Sequence, residues 1–375
     1  MTGSLPLRIV VIAPLRFPIR RPHAGGLESA VWNETDQLRA RGHEVTLIAA
    51  EGSDWTYPDD PFTIPSLTWP AWSIPTDDTY PASYENISVP ALDRALDEIA
   101  EHPERYDVIS NHCLHGLPLR RAGELGVPMV STLHTPVDAD LVAAHSESVG
   151  ERSRFLSVSE HTRHEWAAAG IDSTVLPNAV SPSAWPLGAG GDGLVWFGRI
   201  VPEKAPHLAI ELAERLGRPL TIAGRVGDEK YAAEFVLPRL GTSVHYAHHL
   251  PPHQLAELVG RSACSIETPA WAEPFGLVAP EALMCGTPVA SFAVGGIPEI
   301  ARGSTGMATA PLGDLDGLAR AAHTLISRSG ADPTFRAAVR ANAVSRFSLT
   351  TRTADLEAYF VRLMNSRGTS PERAA

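Results

Sequence analysis

The chain has 375 residues, 44% of them hydrophobic and 20% charged, a balance that suits two globular domains and excludes disordered and fibrous classes. A formal net charge of -12 with no long basic run argues against a nucleic-acid binder. The three cysteines, Cys113, Cys264 and Cys285, are too few and too scattered for a disulfide framework and fit a reducing cytoplasm.

The opening MTGSLPLRIVVIAP has no basic leader, and its apolar run is too short for a signal peptide or a membrane span. It reads as a first buried strand, Arg8–Ala13. Leu27–Ala40 follows with helical spacing, Leu27, Ala30, Val31, Glu34 and Leu38 falling in register. Glu44–Ala50, Asp107–Ser110, Pro128–Thr132 and Phe155–Val158 are further short strands, with helical stretches between most of them. Ser181–Gly193, SPSAWPLGAGGDG, interrupts the alternation and reads as a linker. Strands then resume at Leu194–Phe197, Leu220–Ala223, Val244–Tyr246, Cys264–Thr268 and Val289–Phe292, with helices near 206–216, 253–261 and 277–285. Helices at Leu315–Arg328, Thr334–Arg346 and Thr351–Leu363 close the chain. No later segment is long and apolar enough to cross a bilayer, and peripheral membrane contact is left open.

Strands alternating with helices imply an α/β protein with parallel sheets, here two doubly wound domains facing each other across a cleft. The expected division is 1–180, 181–346 and a C-terminal helix and tail at 347–375 whose packing the sequence leaves open. Ligands of such folds bind at the carboxyl ends of strands. Gly188–Gly193 matches the letters of a dinucleotide fingerprint but precedes a strand instead of following one, which argues against a nicotinamide dehydrogenase.

Three loops at strand ends carry chemistry-bearing residues. Gly25 and Gly26 stand where a loop enters a helix, which suits either backbone approach to a phosphate or a plain tight turn. Arg199 and Lys204, in FGRIVPEK, could clamp a diphosphate or be solvated loop cations. In WAEPFGLVAPEALMCGTPV, Glu273 falls in a loop and Glu281 on the first turns of the next helix. Pro280 fixes that helix start, and backbone N–H groups at Phe275, Gly276 and Leu277 are expected to face a ligand.

FGRIVPEK and, some seventy residues on, EPFGLVAPEALMCGTPVASFAVGGIPEI resemble glycosyltransferase family 4. AGGLESAVWNETDQLRARGHEVTLI, SVSEHTRHEW and VLPNAV extend the likeness over nearly the whole chain. The resemblance implies a GT-B fold and a retaining, metal-independent transferase with a nucleotide sugar as substrate and no cofactor. It implies that Glu281 holds the ribose hydroxyls and Glu273 the hydroxyls of the transferred sugar, beside the Phe275–Leu277 backbone. Arg199 and Lys204 would hold the diphosphate, Gly26 with Gly25 beside it would meet its distal phosphate, and His134 in STLHTP would lie near the donor sugar. His248, His249 and Leu250 would border the base. The chain departs from the family at Ala205, where glycine is common after the lysine, and at Asn178-Ala179, where Asn-Gly is commoner.

Asp138-Ala-Asp140 has the spacing of a metal-binding pair but reads as a helix cap, and the histidines at 112–115 and 245–253 lack zinc spacing. Residues 54–90 are rich in proline and aromatics without clear periodicity. With Arg16, Arg20 and Arg21 they are candidates for an acceptor site, Trp69 and Trp72 above all, although a self-packed loop and solvated charges fit as well. The expected function is transfer of a hexose-type sugar from a UDP-sugar, or second a GDP-sugar, to a hydroxyl of an acceptor that the sequence does not name. A nucleotide-sugar epimerase, a sugar phosphorylase of the same fold and an inactive nucleotide-sugar-binding protein are the alternatives. Oligomeric state is open.

Overall fold

The computed structural model describes residues 5–69, 80–81, 83–150 and 153–368, with side chains to 365. The chain forms two compact units, Met1–Pro177 with Thr350–Ala375, and Asn178–Leu349. The seam lies three residues before the expected 180/181 boundary, and the chain returns to the first unit at 349/350 instead of 346/347.

The first unit holds β1 (Arg8–Ile12), α1 (Gly26–Ala40), β2 (Glu44–Ala50), β3 (Thr63–Ile64), α2 (Tyr84–Glu101), β4 (Val108–Asn111), α3 (Leu117–Arg121), β5 (Met129–Leu133), α4 (Ala139–Glu147), β6 (Arg154–Ser157), α5 (Glu160–Ala168) and β7 (Thr174–Val175). Its seven parallel strands run in the order β3-β2-β1-β4-β5-β6-β7. Side chains alternate across the sheet, so Val10 and Ile12 enter one apolar core while Ile9 and Val11 enter the other. Two cores on one sheet require cover on both faces, which explains why the strands read as continuous apolar runs.

The second unit holds β8 (Leu194–Phe197), α6 (Pro206–Leu216), β9 (Leu220–Ala223), the single turn α7 (Glu229–Tyr231), β10 (Val244–Tyr246), α8 (Pro252–Gly260), β11 (Cys264–Glu267), α9 (Val278–Met284), β12 (Val289–Phe292), α10 (Ile297–Ala301), β13 (Met307–Ala310), α11 (Leu315–Ala331) and α12 (Phe335–Phe347). Its six parallel strands run β10-β9-β8-β11-β12-β13. The last helix, α13 (Leu349–Gly368), places Leu356 and Phe360 in a core of the first unit. In each sheet the strand order reverses once, between β1 and β4 and between β8 and β11. Those two points are where a doubly wound sheet leaves a crevice for a ligand.

Two expectations need correction. Ser181–Gly193 is not a linker between domains; it is part of the second unit. Gly188 N–H donates to Cys285 O and Gly190 N–H to Gly260 O, while Arg336 and Arg340 of α12 donate to Gly188 O and Pro182 O. Proline and glycine mark irregular backbone but do not reveal that arginines 150 residues later will bond it. The aperiodic stretch 54–90 also ends in order, because Tyr84–Pro90 forms the first turns of α2. Pro90, inside the helix, masked that period.

Candidate active site

The second unit gathers charge at its switch point. β8 ends at Phe197, and the loop after it carries Arg199 and a short 3-10 turn, Pro202–Lys204. β11 ends at Glu267, and the loop after it carries Trp271 and Glu273. Both loops therefore leave the carboxyl ends of the adjacent strands β8 and β11. Lys204 Nζ pairs directly with Glu273 Oε1 and lies 5.1 Å from the centre of the Trp271 ring. Thr268 Oγ1 donates to the carbonyls of Lys204 and Ala205, and Ala270 N–H donates to Glu203 O. The two loops are thus stitched by backbone as well as by the ion pair. Arg199 reaches Glu203 at 3.5 Å.

Glu273 is fixed from behind. Its carbonyl accepts from Gly296 N–H at 2.7 Å. Gly295 has φ +56°, and a Cβ there would stand 2.1 Å from Glu273 O, so only glycine fits. Phe275 is buried, Gly276 has φ +94°, and Leu277 caps α9 without a side-chain hydrogen bond. The Leu277 side chain thus gives the first N–H groups of that helix no cap. Glu281, half-buried on the first turn of α9, is pushed up to about 8 by burial. Glu267 is pushed up to about 8 by burial first and by Glu273 second, and its Oε1 has no hydrogen-bond partner. One lysine thus pairs with one of three neighbouring acids, and the other two are held largely protonated near neutral pH.

The nearby loops after β9 and β10 close on the same end of the sheet. Gly224 would place a Cβ 1.8 Å from Gly198 O, so these backbones touch. Gly224 N–H donates to His248 O, Tyr246 Oη donates to Gly224 O, and the His248 ring packs on Tyr246 at 4.4 Å. His248 and His249 are exposed and Leu250 is half-buried.

In the first unit, Gly25 caps α1 in an extended conformation without a side-chain bond, and Gly26 is the helix's first residue. Glu28 lies close by, its Oε2 2.9 Å from where a Gly25 Cβ would be, an acid placed as the helix dipole favours. His134 follows β5. Its Nε2 meets His112 Nδ1 at 2.8 Å, and His112 Nε2 meets Glu34 Oε1 at 2.9 Å. Ser110 Oγ donates to the same Glu34 oxygen at 2.7 Å, and Arg352 of α13 donates to Oε2 at 3.0 Å. Burial opposes ionisation of Glu34, but His112, Arg352 and Ser110 outweigh it and hold the carboxylate far below its ordinary range. Burial above all, with the Arg352 charge adding to it, holds His134 well below its usual value, so the ring is neutral near pH 7.

The three loop arginines are not a solvated basic cluster. Arg16 is buried with its guanidinium 5.4, 5.7 and 5.2 Å from the rings of Phe17, Trp69 and Tyr80. Trp69 stacks on Phe17 at 5.3 Å, and Arg21 lies 3.8 Å over Trp32, so of the three only Arg20 is an exposed charge without such a ring. Trp72 lies outside the described residues. Asp138 caps α4 by accepting from Asp140 N–H and Leu141 N–H, and Asp140 pairs with Arg120.

Comparison with known proteins fits this arrangement. The model for glycosyl transferases group 1 matches residues 190–344, and that for glycosyltransferase family 4 matches residues 24–184. A D-inositol 3-phosphate glycosyltransferase of Frankia alni is 31% identical over 297 residues, 66% of this chain and 72% of that one. The chain belongs to glycosyltransferase family 4. A glycogen synthase of Mycobacterium tuberculosis is 30% identical over 281 residues, and the chain spans 66% of that relative's length. Among solved structures, sucrose-phosphate synthase from Thermosynechococcus elongatus superposes with a TM-score of 0.75 at 17% identity, covering 96% of this chain and 100% of that one. The Anabaena protein HepE, solved with UDP and glucose, superposes with a TM-score of 0.68 at 15% identity, covering 95% of this chain and 99% of that one. At such identities the likeness shows the fold, which is GT-B.

Within this glycosyltransferase the structure brings Arg199, Lys204, Glu273, the Phe275–Leu277 backbone and Glu281 to one end of one sheet. It brings Gly25, Gly26 and His134 to the carboxyl end of the other. Glu34, His112 and Glu267 are not among the sequence-predicted site residues, His112 having been weighed only as a metal ligand and Glu34 only as part of a helical stripe. Glu34 was legible as a carboxylate on the buried stripe of α1, and His112 as a histidine just past a strand end. Glu267 had no such mark, because it closes an apolar strand.

Proposed function

We propose that the protein is a retaining glycosyltransferase that moves a hexose-type sugar from a UDP-sugar to a hydroxyl of an acceptor, without a metal ion or a cofactor. The observation that carries this reading is the set Arg199, Lys204, Glu273 and Glu281 on the loops and helix that follow β8 and β11. Two cations beside the uncapped start of α9 suit a diphosphate. Glu281 suits the paired hydroxyls of a ribose, and Glu273 suits the hydroxyls of the sugar. GDP-sugars are the second choice of donor. Relatives that bear the names glycogen synthase and D-inositol 3-phosphate glycosyltransferase, and the HepE complex with UDP and glucose, support a sugar-nucleotide donor.

The Lys204–Glu273 pair gives the reaction a resting state. Donor binding would exchange it, Lys204 turning to the diphosphate and Glu273 to the sugar. As the glycosidic bond breaks, charge grows on the leaving phosphate, and Arg199 and Lys204 stabilise it. The leaving phosphate takes the proton of the incoming hydroxyl on the same face, so the anomeric configuration is kept and no enzyme nucleophile is needed. His134 is a neutral hydrogen-bonding partner for the transferred sugar. The first unit is the proposed acceptor-binding unit, with Arg20 and the ring-stacked Trp69 as candidate contacts.

Lys204→Ala, Glu273→Ala and Glu281→Ala separate the roles. Isothermal titration with UDP-glucose and UDP should show both ligands weakened by Glu281→Ala. Glu273→Ala should leave UDP affinity near that of the parent and lower turnover. Equal loss of UDP affinity in both glutamate variants would overturn this division, and undiminished UDP-glucose binding by Lys204→Ala would overturn the diphosphate clamp.

A further inference from the structure

The groups behind His134 come from four elements: Glu34 from α1, Ser110 from β4 with His112 just after it, His134 just after β5 and Arg352 from α13. All but His134 are almost wholly buried. Such a chain costs desolvation at every member and is retained only if its hydrogen bonds are complete. The bonds also fix where each proton sits. Glu34 accepts from Arg352 and Ser110, and its remaining contact is His112 Nε2, which must therefore carry a hydrogen. Arg352 already balances the Glu34 charge, so a cationic His112 would be a second buried positive charge without a counterion. His112 is then the Nε2–H tautomer, with Nδ1 bare. His134 Nε2, 2.8 Å from that bare nitrogen, must donate to it.

We propose that Glu34 and His112 are positioning residues that lock His134 as its Nε2–H tautomer and so present Nδ1 as a hydrogen-bond acceptor to a hydroxyl of the transferred sugar. Only His134 would touch substrate; Glu34 and His112 act through it, in the way a carboxylate orients a histidine in other sites. This rests on the function proposed above for the part His134 plays, but the tautomer itself does not. The charged and titratable groups that face the pair are Arg352 from α13 and His134 after β5, and the neutral Ser110 hydroxyl of β4 touches both members.

Two measurements test it. Ring nitrogen NMR of the uniformly labelled wild-type protein near pH 7 should show His134 with Nε2 protonated and Nδ1 bare. The opposite tautomer, or an imidazolium, overturns the proposal whether or not any activity is found. The second is a cycle on hydrolysis of UDP-glucose with Glu34→Gln, His112→Gln, His134→Ala and the double variant His112→Gln/His134→Ala. Each of the first two should lower kcat about tenfold with little change in donor KM. The double variant should be no slower than His134→Ala alone, because residues that act as one unit are not additive. Losses that multiply, or that fall on KM alone, overturn the proposal. If Glu34→Gln does not fold, His112→Gln and the wild-type spectrum carry the test. A wild-type protein that neither binds nor hydrolyses any nucleotide sugar overturns the functional reading instead and leaves the tautomer to the spectrum.

Discussion

Ala205 stands directly after Lys204 with φ +44° and ψ +51°, in the left-handed region where a side chain clashes with the backbone. Its conformation is set by neighbours, since Ala205 O accepts from Thr268 and its N–H bonds back to Val201 O. A glycine at this place would adopt the same left-handed backbone without a side-chain clash. Ala205→Gly should raise stability by up to about 1 kcal/mol, the relief of strain being partly offset by unfolded-state entropy. A thermal melt that falls instead would show that the methyl packs better than the strain costs. Glu281 supplies a second test. Its carboxyl is raised to about 8, so below that pH the free protein carries it protonated. Ribose hydroxyls that donate to it favour the ionised form. UDP-glucose affinity should therefore rise with pH, by at most about tenfold per unit, and level off above 8, while Glu281→Gln flattens the profile. For stability the sign is opposite. A raised acid contributes fully below its unfolded value and loses that contribution as pH climbs through the folded one. Glu267, buried and also raised to about 8, should behave so, and Glu267→Gln should gain in melting temperature over the parent as pH rises from 5 to 9. A difference that stays constant across this range would contradict the assignment. Arg199, Lys204 and Glu273 were legible because charges in loops after strands stand out from their surroundings, and Glu281 because it is an acid at a helix start. Glu267 was not, because a single acid inside an apolar run leaves the strand pattern intact.

At the scale of elements, position is set by strand ends and by glycines. Gly295 lets the loop after β12 lie against Glu273, with a φ and a clearance that exclude a side chain. Gly295→Ala should displace Glu273 and destabilise the second unit by about 1–3 kcal/mol, with a larger relative loss in turnover than in UDP affinity. Turnover unchanged by the substitution would show that the loop does not hold Glu273 in place. Asp138 at the start of α4 is a cap by its hydrogen bonds, and Asp138→Ala should cost about 1 kcal/mol of stability. Unfolding in urea would check this, and no loss would contradict it. Most long elements were readable from apolar period alone, α6 and β9 to the residue. β3 and β7 are two residues each, too short to show any period, and β13 is a small-residue strand that reads as loop.

At the scale of the molecule, each of the two sheets carries candidate site residues in loops at the carboxyl ends of its strands, Gly25 after β1 and His134 after β5 in one, Arg199 and Lys204 after β8 and Glu273 after β11 in the other. What the sequence left open was the last helix. α13 leaves the second unit at Leu349 and fills a core of the first with Leu356 and Phe360. Its apolar stripe announces a buried face but not which core receives it. Phe360→Ala should remove about 3–5 kcal/mol, read as a lower unfolding midpoint, and an unchanged midpoint would show that the helix is not integral to that core. The same helix carries Arg352, so its seat also sets the charge behind His134. The most direct test of the proposed function is time-resolved proton NMR of a panel of UDP- and GDP-hexoses incubated with the protein. With UDP-glucose, whose sugar is α-linked, a retaining transferase should release glucose slowly, first as the α anomer, and none should appear with Lys204→Ala. Glucose released first as the β anomer, or no cleavage of any donor in the panel, would contradict it.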